Sequence, residues 1–167
     1  GFRERFPSAL RKTAFVASVL DIDTPVLVFD WPGDQGSSLR GYRSARDMAE
    51  ASGPDLARVI EVIVNDVQPD NLGIIANSMG GEVVAHAFSH LYQNPEFADA
   101  GVEFEDVVLT APDVSHEEFD NQFKREITSL TKNHELKRPE VPLQSFAQLE
   151  LEFAPPSTGI VACGHGR

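Results

Sequence analysis

Apolar positions along this chain follow two periods, and the switches between them outline the fold. Phe6, Ala9, Leu10, Ala14 and Ala17 recur at helical spacing and predict a helix from about Pro7 to Leu20. Val26-Leu27-Val28-Phe29 is a short continuous apolar run, the mark of a strand buried on both faces. The turn-rich stretch from Trp31 to Ser38 then predicts a loop. Two helices are expected next, about Ser44 to Ala51 and Pro54 to Val67, broken at Ser52-Gly53-Pro54 because proline suits a first helical turn. Strand Leu72 to Ala76, helix Met79 to Tyr92 and strand Asp106 to Thr110 follow. Ser115 with Glu118 has capping-box spacing, so Glu117 to Phe123 should be helical. Ile127 to Leu130 reads as a further strand, and the proline-punctuated tail after Lys132 gives the weakest pattern.

Strands alternating with helices at this spacing imply an α/β fold, a mostly parallel sheet flanked by helices. No repeat, low-complexity tract or interdomain linker interrupts it, so residues 1–167 read as a single domain. Functional groups in such folds lie beyond the carboxyl ends of the strands.

At one such end the pattern is unusually informative. Ile74-Ile75-Ala76 runs into Asn77-Ser78-Met79-Gly80-Gly81, and an apolar helical segment starts at once. A serine between a buried strand and a helix, flanked by small residues, is the layout of a nucleophile elbow. Ala76 and Gly80 take the two glycine positions of G-x-S-x-G, with Ala76 departing by one methyl group.

Composition narrows the function classes. Fourteen Lys and Arg against 26 Asp and Glu leave a formal charge of −12, which repels nucleic acid and anionic membrane surfaces. No apolar run approaches the roughly 18 residues of a membrane span. Cys163 is the sole cysteine, so no intrachain disulfide forms, and its apolar setting reads as a buried thiol. The chain begins at Gly1 without Met, so an upstream secretion signal would be invisible; the compartment stays open, with the cytoplasm favoured.

A serine hydroxyl needs a base to take its proton and a carboxylate to steady the base. Ser78, Asp113 and His165 occur in the order Ser, acid, His. Asp113 would orient the imidazole, although an aspartate after Pro112 also suits an ordinary turn. His165 lies in Cys163-Gly164-His165-Gly166, whose glycines let a loop present the ring; His134 is the alternative base. Glu82, His86 and His90 share one helix face, read as a satisfied face rather than a zinc site. His116-Glu117-Glu118-Phe119-Asp120 begins like H-E-x-x-H and fails at its last position. No phosphate-binding glycine loop appears, against a nucleotide or redox module.

These residues together resemble the DUF900 family of α/β-hydrolase-fold proteins. The resemblance rests on Gly1-Phe2 against the end of a His-Gly-Phe oxyanion segment and on Phe29-Asp30-Trp31-Pro32 against a Trp-Pro signature. It continues in Gly36 to Ala45, in Asn77-Ser78-Met79-Gly80 against His-Ser-Met-Gly, and in Leu109 to Val114 against Ala-Pro-Asp-Val. It weakens after about Leu130, although Gly164-His165 resembles the late Gly-His. Three departures stand out. The strand and histidine ahead of Gly1 are absent, so the expectation is a fragment lacking its first strands. Asn77 replaces the histidine before the nucleophile. Thr131-Lys132-Asn133-His134 stands where the family shows Ser-Ser-Asn-Asp, which leaves the acid as Asp113 or Glu135. The resemblance implies an α/β-hydrolase fold and an oxyanion hole from the backbone N–H groups of Phe2 and Met79, with the first weakened by the missing strand.

The expected function is therefore a serine hydrolase acting on a small acyl substrate, an ester or similar, with no metal or organic cofactor. Trp31, Tyr42 and Met79 are candidate pocket residues, although a buried aromatic is equally ordinary core, and the oligomeric state is not specified. The rival is a non-catalytic protein of the same fold that binds a ligand at the same edge.

Overall fold

The computed structural model describes residues 1–99 and 103–131, together with the backbone of 161–165. Helix α1 (Phe6–Val19) leads into strand β1 (Leu27–Trp31), and the long helix α2 (Leu39–Val62) continues as a π-helical turn at Ile63–Val67. Strand β2 (Gly73–Asn77), helices α3 (Gly80–Gln93) and α4 (Pro95–Asp99), and strand β3 (Asp106–Thr110) come next. The helical turn α5 (His116–Glu118), a π-helical turn at Phe119–Phe123, helix α6 (Lys124–Ser129) and strand β4 (Val161–His165) complete the described elements.

The strands pair in the order β1-β4-β2-β3, every described pairing parallel. The fold class and the parallel sheet are those the alternating pattern implies. Strand β4, read from sequence only as an apolar segment, fills the position between β1 and β2. The core gathers Trp31 of β1, Ile74 and Ala76 of β2, and the inner faces of α2 and α3 around Leu56, Ile60, Val83, Val84 and Phe88.

Two elements differ from expectation because burial overrides a local signal. Ser52-Gly53-Pro54 does not break the chain: α2 runs straight through it. An interior proline costs about 3 kcal/mol through its missing N–H and ring clash. Here the buried stripe Gly41, Ala45, Ala49, Gly53, Leu56 and Ile60 holds one helix together against α3. The Ser52 hydroxyl takes up the Met48 carbonyl at 2.7 Å. Gly53 serves close approach rather than a turn, since a Cβ there would stand 2.5 Å from His86 Cβ. Gly53→Val should therefore destabilise the fold by about 1–3 kcal/mol, the range for overpacking a filled interface, as read by urea unfolding; an unchanged midpoint would refute the close approach.

Residues Ile127 to Leu130, read as a strand, lie in and just after α6. Phe123, Ile127 and Leu130 are all buried, and their spacing of four and three is helical. Ile127-Thr128-Ser129-Leu130, with apolar residues only at its two ends, was too short a window for the period to show. The Ser115–Glu118 capping box forms as expected, with Glu118 N–H donating to Ser115 Oγ at 3.1 Å and Ser115 N–H to Glu118 Oε2 at 3.2 Å. It starts a segment that passes through the π-helical turn instead of one regular helix.

Candidate functional site

Strand β2 delivers Ser78 to the carboxyl edge of the sheet, and α3 begins two residues later. Ser78 sits at φ 53°, in the left-handed region that L residues avoid. A backbone held there stores about 1–3 kcal/mol, which the surrounding bonds must sustain. Those bonds are present. Ser78 N–H donates to Thr110 O at 3.0 Å, locking the turn to the end of β3. Asn77 Nδ2 donates to Thr110 Oγ1 at 3.0 Å, so the residue before the serine braces the same joint. Ser78 O accepts twice, from Gly81 N–H at 2.9 Å and from Asp113 N–H at 3.1 Å.

The last of these bonds ties the loop after β3 to the serine turn. Ala111, at φ 42°, swings that loop back over the start of α3. Gly81 makes the room, since a Cβ there would come within 2.9 Å of Pro112 Cβ. Asp113 is thus brought beside Ser78. Its carboxylate already has one partner, because Tyr42 Oη donates to Asp113 Oδ2 at 2.6 Å. That bond, with burial, pushes the Tyr42 phenol up to about 12, so it remains a protonated donor at neutral pH.

Gly1 lies against the serine. A Cβ at Gly1 would be 3.4 Å from Ser78 Cβ, and the Phe2 ring meets Tyr42 edge-on at 5.5 Å. Arg3 N–H donates to Gly33 O at 3.4 Å, which ties this segment to the loop after β1, and Glu4 N–H closes a local turn onto Gly1 O at 3.3 Å. Met79 opens α3 at its N-cap position, where the first backbone N–H groups have no partner within the helix and the helix dipole is positive.

His165 ends β4, with Trp31 as its cross-strand partner. His165 lies three residues beyond Ala162, the last β4 residue that pairs with β2. Its side chain, the Cys163 thiol, His134 and Glu135 lie outside what the structure describes. Two expected pocket residues are core instead: Trp31 is 1% exposed and Met79 0%. Tyr42 is the one of the three that reaches the site edge, and it does so as a partner of Asp113.

Behind Tyr42 lies a charged cluster that the sequence reading missed. Arg46, one helical turn along α2, forms a close ion pair with Glu82 of α3, which is nearly fully buried. Arg46 also lies 3.5 Å from Glu118. Burial pushes the Glu82 carboxyl up despite the guanidinium beside it. Glu82 was read with His86 and His90 as one helix face, and His86 Nε2 does stand 3.8 Å from Glu82 Oε2, with its ring edge-on to Phe123 at 5.1 Å. The available signal was the spacing of Tyr42 and Arg46, which puts a phenol and a cation on one face of α2.

A family model described as alpha/beta hydrolase of unknown function, DUF900, matches residues 1–144. No curated protein and no solved structure matches the chain. Among the described residues no helix is long and apolar enough to cross a membrane.

Proposed function

The chain belongs to the DUF900 family of alpha/beta hydrolases, and we propose that it is a serine hydrolase that cleaves an ester or similar acyl bond through Ser78. The observation that carries this reading is the Ser78 turn: a serine at φ 53° between β2 and α3, with Gly1 against its Cβ and Asp113 bonded to its carbonyl. A strained serine on a strand-to-helix turn exposes its Oγ to a substrate, which is the purpose of a nucleophile elbow.

In the proposed cycle Ser78 Oγ attacks the acyl carbon while His165 takes its proton. The C=O bond opens to an oxyanion, which the N–H groups of Phe2 and Met79 stabilise; one such donor is worth roughly 3 kcal/mol. Collapse expels the alkoxide, protonated by the imidazolium, and leaves Ser78 acylated. Water, deprotonated by the same imidazole, then releases the carboxylic acid and restores the serine. Asp113 steadies the imidazole through Oδ1, while Tyr42 holds Oδ2 and fixes the carboxylate plane.

Labelling by a fluorophosphonate probe tests the reading, since only an activated serine reacts quickly. Labelling that disappears in Ser78→Ala supports it; a folded protein that does not label favours a ligand-binding role at the same edge. Tyr42→Phe tests the acid. It should lower kcat about tenfold, the scale of one lost neutral-to-charged hydrogen bond, while KM stays nearly constant. A kcat equal to that of the parent would remove Asp113 from the mechanism and leave Glu135.

A further inference from the structure

Glu82 is nearly fully buried between α2 and α3, and the Arg46 guanidinium is its close partner. A buried ion pair is a poor device for stability, because desolvation offsets most of the attraction and packed apolar residues often do as well or better. What such a pair does fix is the position of its guanidinium.

The fixed guanidinium has a second partner. Arg46 Nη2, the nitrogen that meets Glu82, also lies 3.5 Å from both carboxylate oxygens of Glu118. Glu118 in turn closes the capping box with Ser115, two residues after Asp113. Two rungs rise from α2 to this segment: Tyr42 Oη reaches Asp113 Oδ2 at its start, and Arg46 reaches Glu118 at its end. Tyr42 and Arg46 are four residues apart on α2, so both rungs leave one helix face. Helix α3 completes the frame, since it carries Glu82 and begins two residues after Ser78. An exposed ion pair is ordinarily worth little, because two long side chains must be ordered to make it. Here Glu82 has already ordered the arginine, and the capping box has already ordered the glutamate.

We propose that Arg46 is a positioning residue for the triad acid, acting through Glu118 to hold the Asp113 loop against Ser78. Tyr42 sets the carboxylate plane, and Arg46 keeps the loop that carries the carboxylate from lifting off α2. This role explains why a buried charge pair stands where apolar packing would serve stability equally well. It rests on the serine hydrolase reading.

Steady-state kinetics on a short acyl ester test the proposal. Arg46→Met with Glu82→Leu removes the guanidinium and the buried charge together, so the fold keeps most of its stability. Its kcat should fall about three- to fivefold, the scale of one partly exposed ion pair, with KM unchanged. Glu118→Gln should do the same, because glutamine still closes the capping box but offers Arg46 no charge. The triple variant should lose no more than either, since both changes remove one rung. Arg46→Lys should recover most of kcat, because a single nitrogen makes both contacts. A parent-like kcat in the Arg46→Met, Glu82→Leu protein, or losses that multiply in the triple variant, would overturn the proposal. Amide hydrogen exchange reads the loop without catalysis. The Asp113 N–H, bonded to Ser78 O at 3.1 Å, should exchange about three- to fivefold faster in the same variants. Unchanged exchange overturns the proposal as well. A parent protein that cleaves no ester, with Asp113 exchange still quickened in the variants, would sink the hydrolase reading and leave the anchored loop standing.

Discussion

Ser78→Ala should abolish turnover of short acyl esters, lowering kcat/KM by at least about 10³-fold while leaving the fold intact. The size follows from the role. Without Oγ no acyl-enzyme forms, and what remains is the weaker assistance that backbone donors give to direct attack by water. The intact fold follows from the backbone. Ser78 holds φ 53° through bonds made by its own N–H and C=O, to Thr110, Gly81 and Asp113, and alanine keeps all of them. Alanine is also no less strained at that φ than serine. Glycine differs, because it adopts positive φ without a Cβ penalty. Ser78→Gly should therefore be equally inactive yet melt higher, with up to about 1 kcal/mol of released strain. An inactive variant more stable than its parent is the pattern expected where a fold holds a serine in place for chemistry. Initial rates with p-nitrophenyl butyrate and thermal melts of all three proteins check both parts. Undiminished turnover in Ser78→Ala would end the hydrolase reading.

Arg46→Met should destabilise the protein by about 2–3 kcal/mol at pH 8 and by much less at pH 5. Glu82 is buried between α2 and α3, and Arg46 is the cation paired with it. Removing the cation leaves a buried carboxylate without compensation, which costs about 3–5 kcal/mol when the site is dry. The partial exposure of Arg46 reduces that figure, since water already reaches one side of the pair. The pH dependence follows from linkage. Burial already lifts the folded-state pKa of Glu82 above its ordinary 4.5, and losing Arg46 lifts it further. An acid with a raised folded pKa holds its proton in the folded state and loses it in the unfolded state, so stability falls as pH rises through that window. Below it the neutral carboxyl is tolerated and the variant approaches the parent. Arg46→Met with Glu82→Leu should recover most of the loss at every pH, because no buried charge remains. Urea unfolding of the single and double variants at pH 5 and pH 8 measures this. A deficit that does not change with pH would show that Glu82 is not the group left unpaired.

The two predictions differ in how far the sequence alone reached. Ser78 was legible because its information is local: an apolar strand, one hydroxyl, small neighbours and a helical period lie within about a dozen residues. The Arg46–Glu82 pair was not, because its members are far apart in sequence and each has an ordinary local explanation on its own helix. Asp113 falls between them. Its place after β3 predicted the correct edge of the sheet, but its bond to Tyr42 depends on where α2 crosses that edge.

The sequence by itself determined the α/β alternation, the strands β1, β2 and β3 to within a residue or two, the capping box at Ser115, and the serine at the carboxyl end of a strand. Each is fixed by side-chain period or by turn chemistry, which act over one or two turns of chain. Only the tertiary structure decided that α2 runs unbroken through Pro54, since the burial that outweighs proline comes from α3. It alone made a helix of Ile127–Ser129, withdrew Trp31 and Met79 into the core, and set β4 between β1 and β2. Burial, ion pairing and strand order are properties of segments distant in sequence, and they take definite values only once the chain is packed.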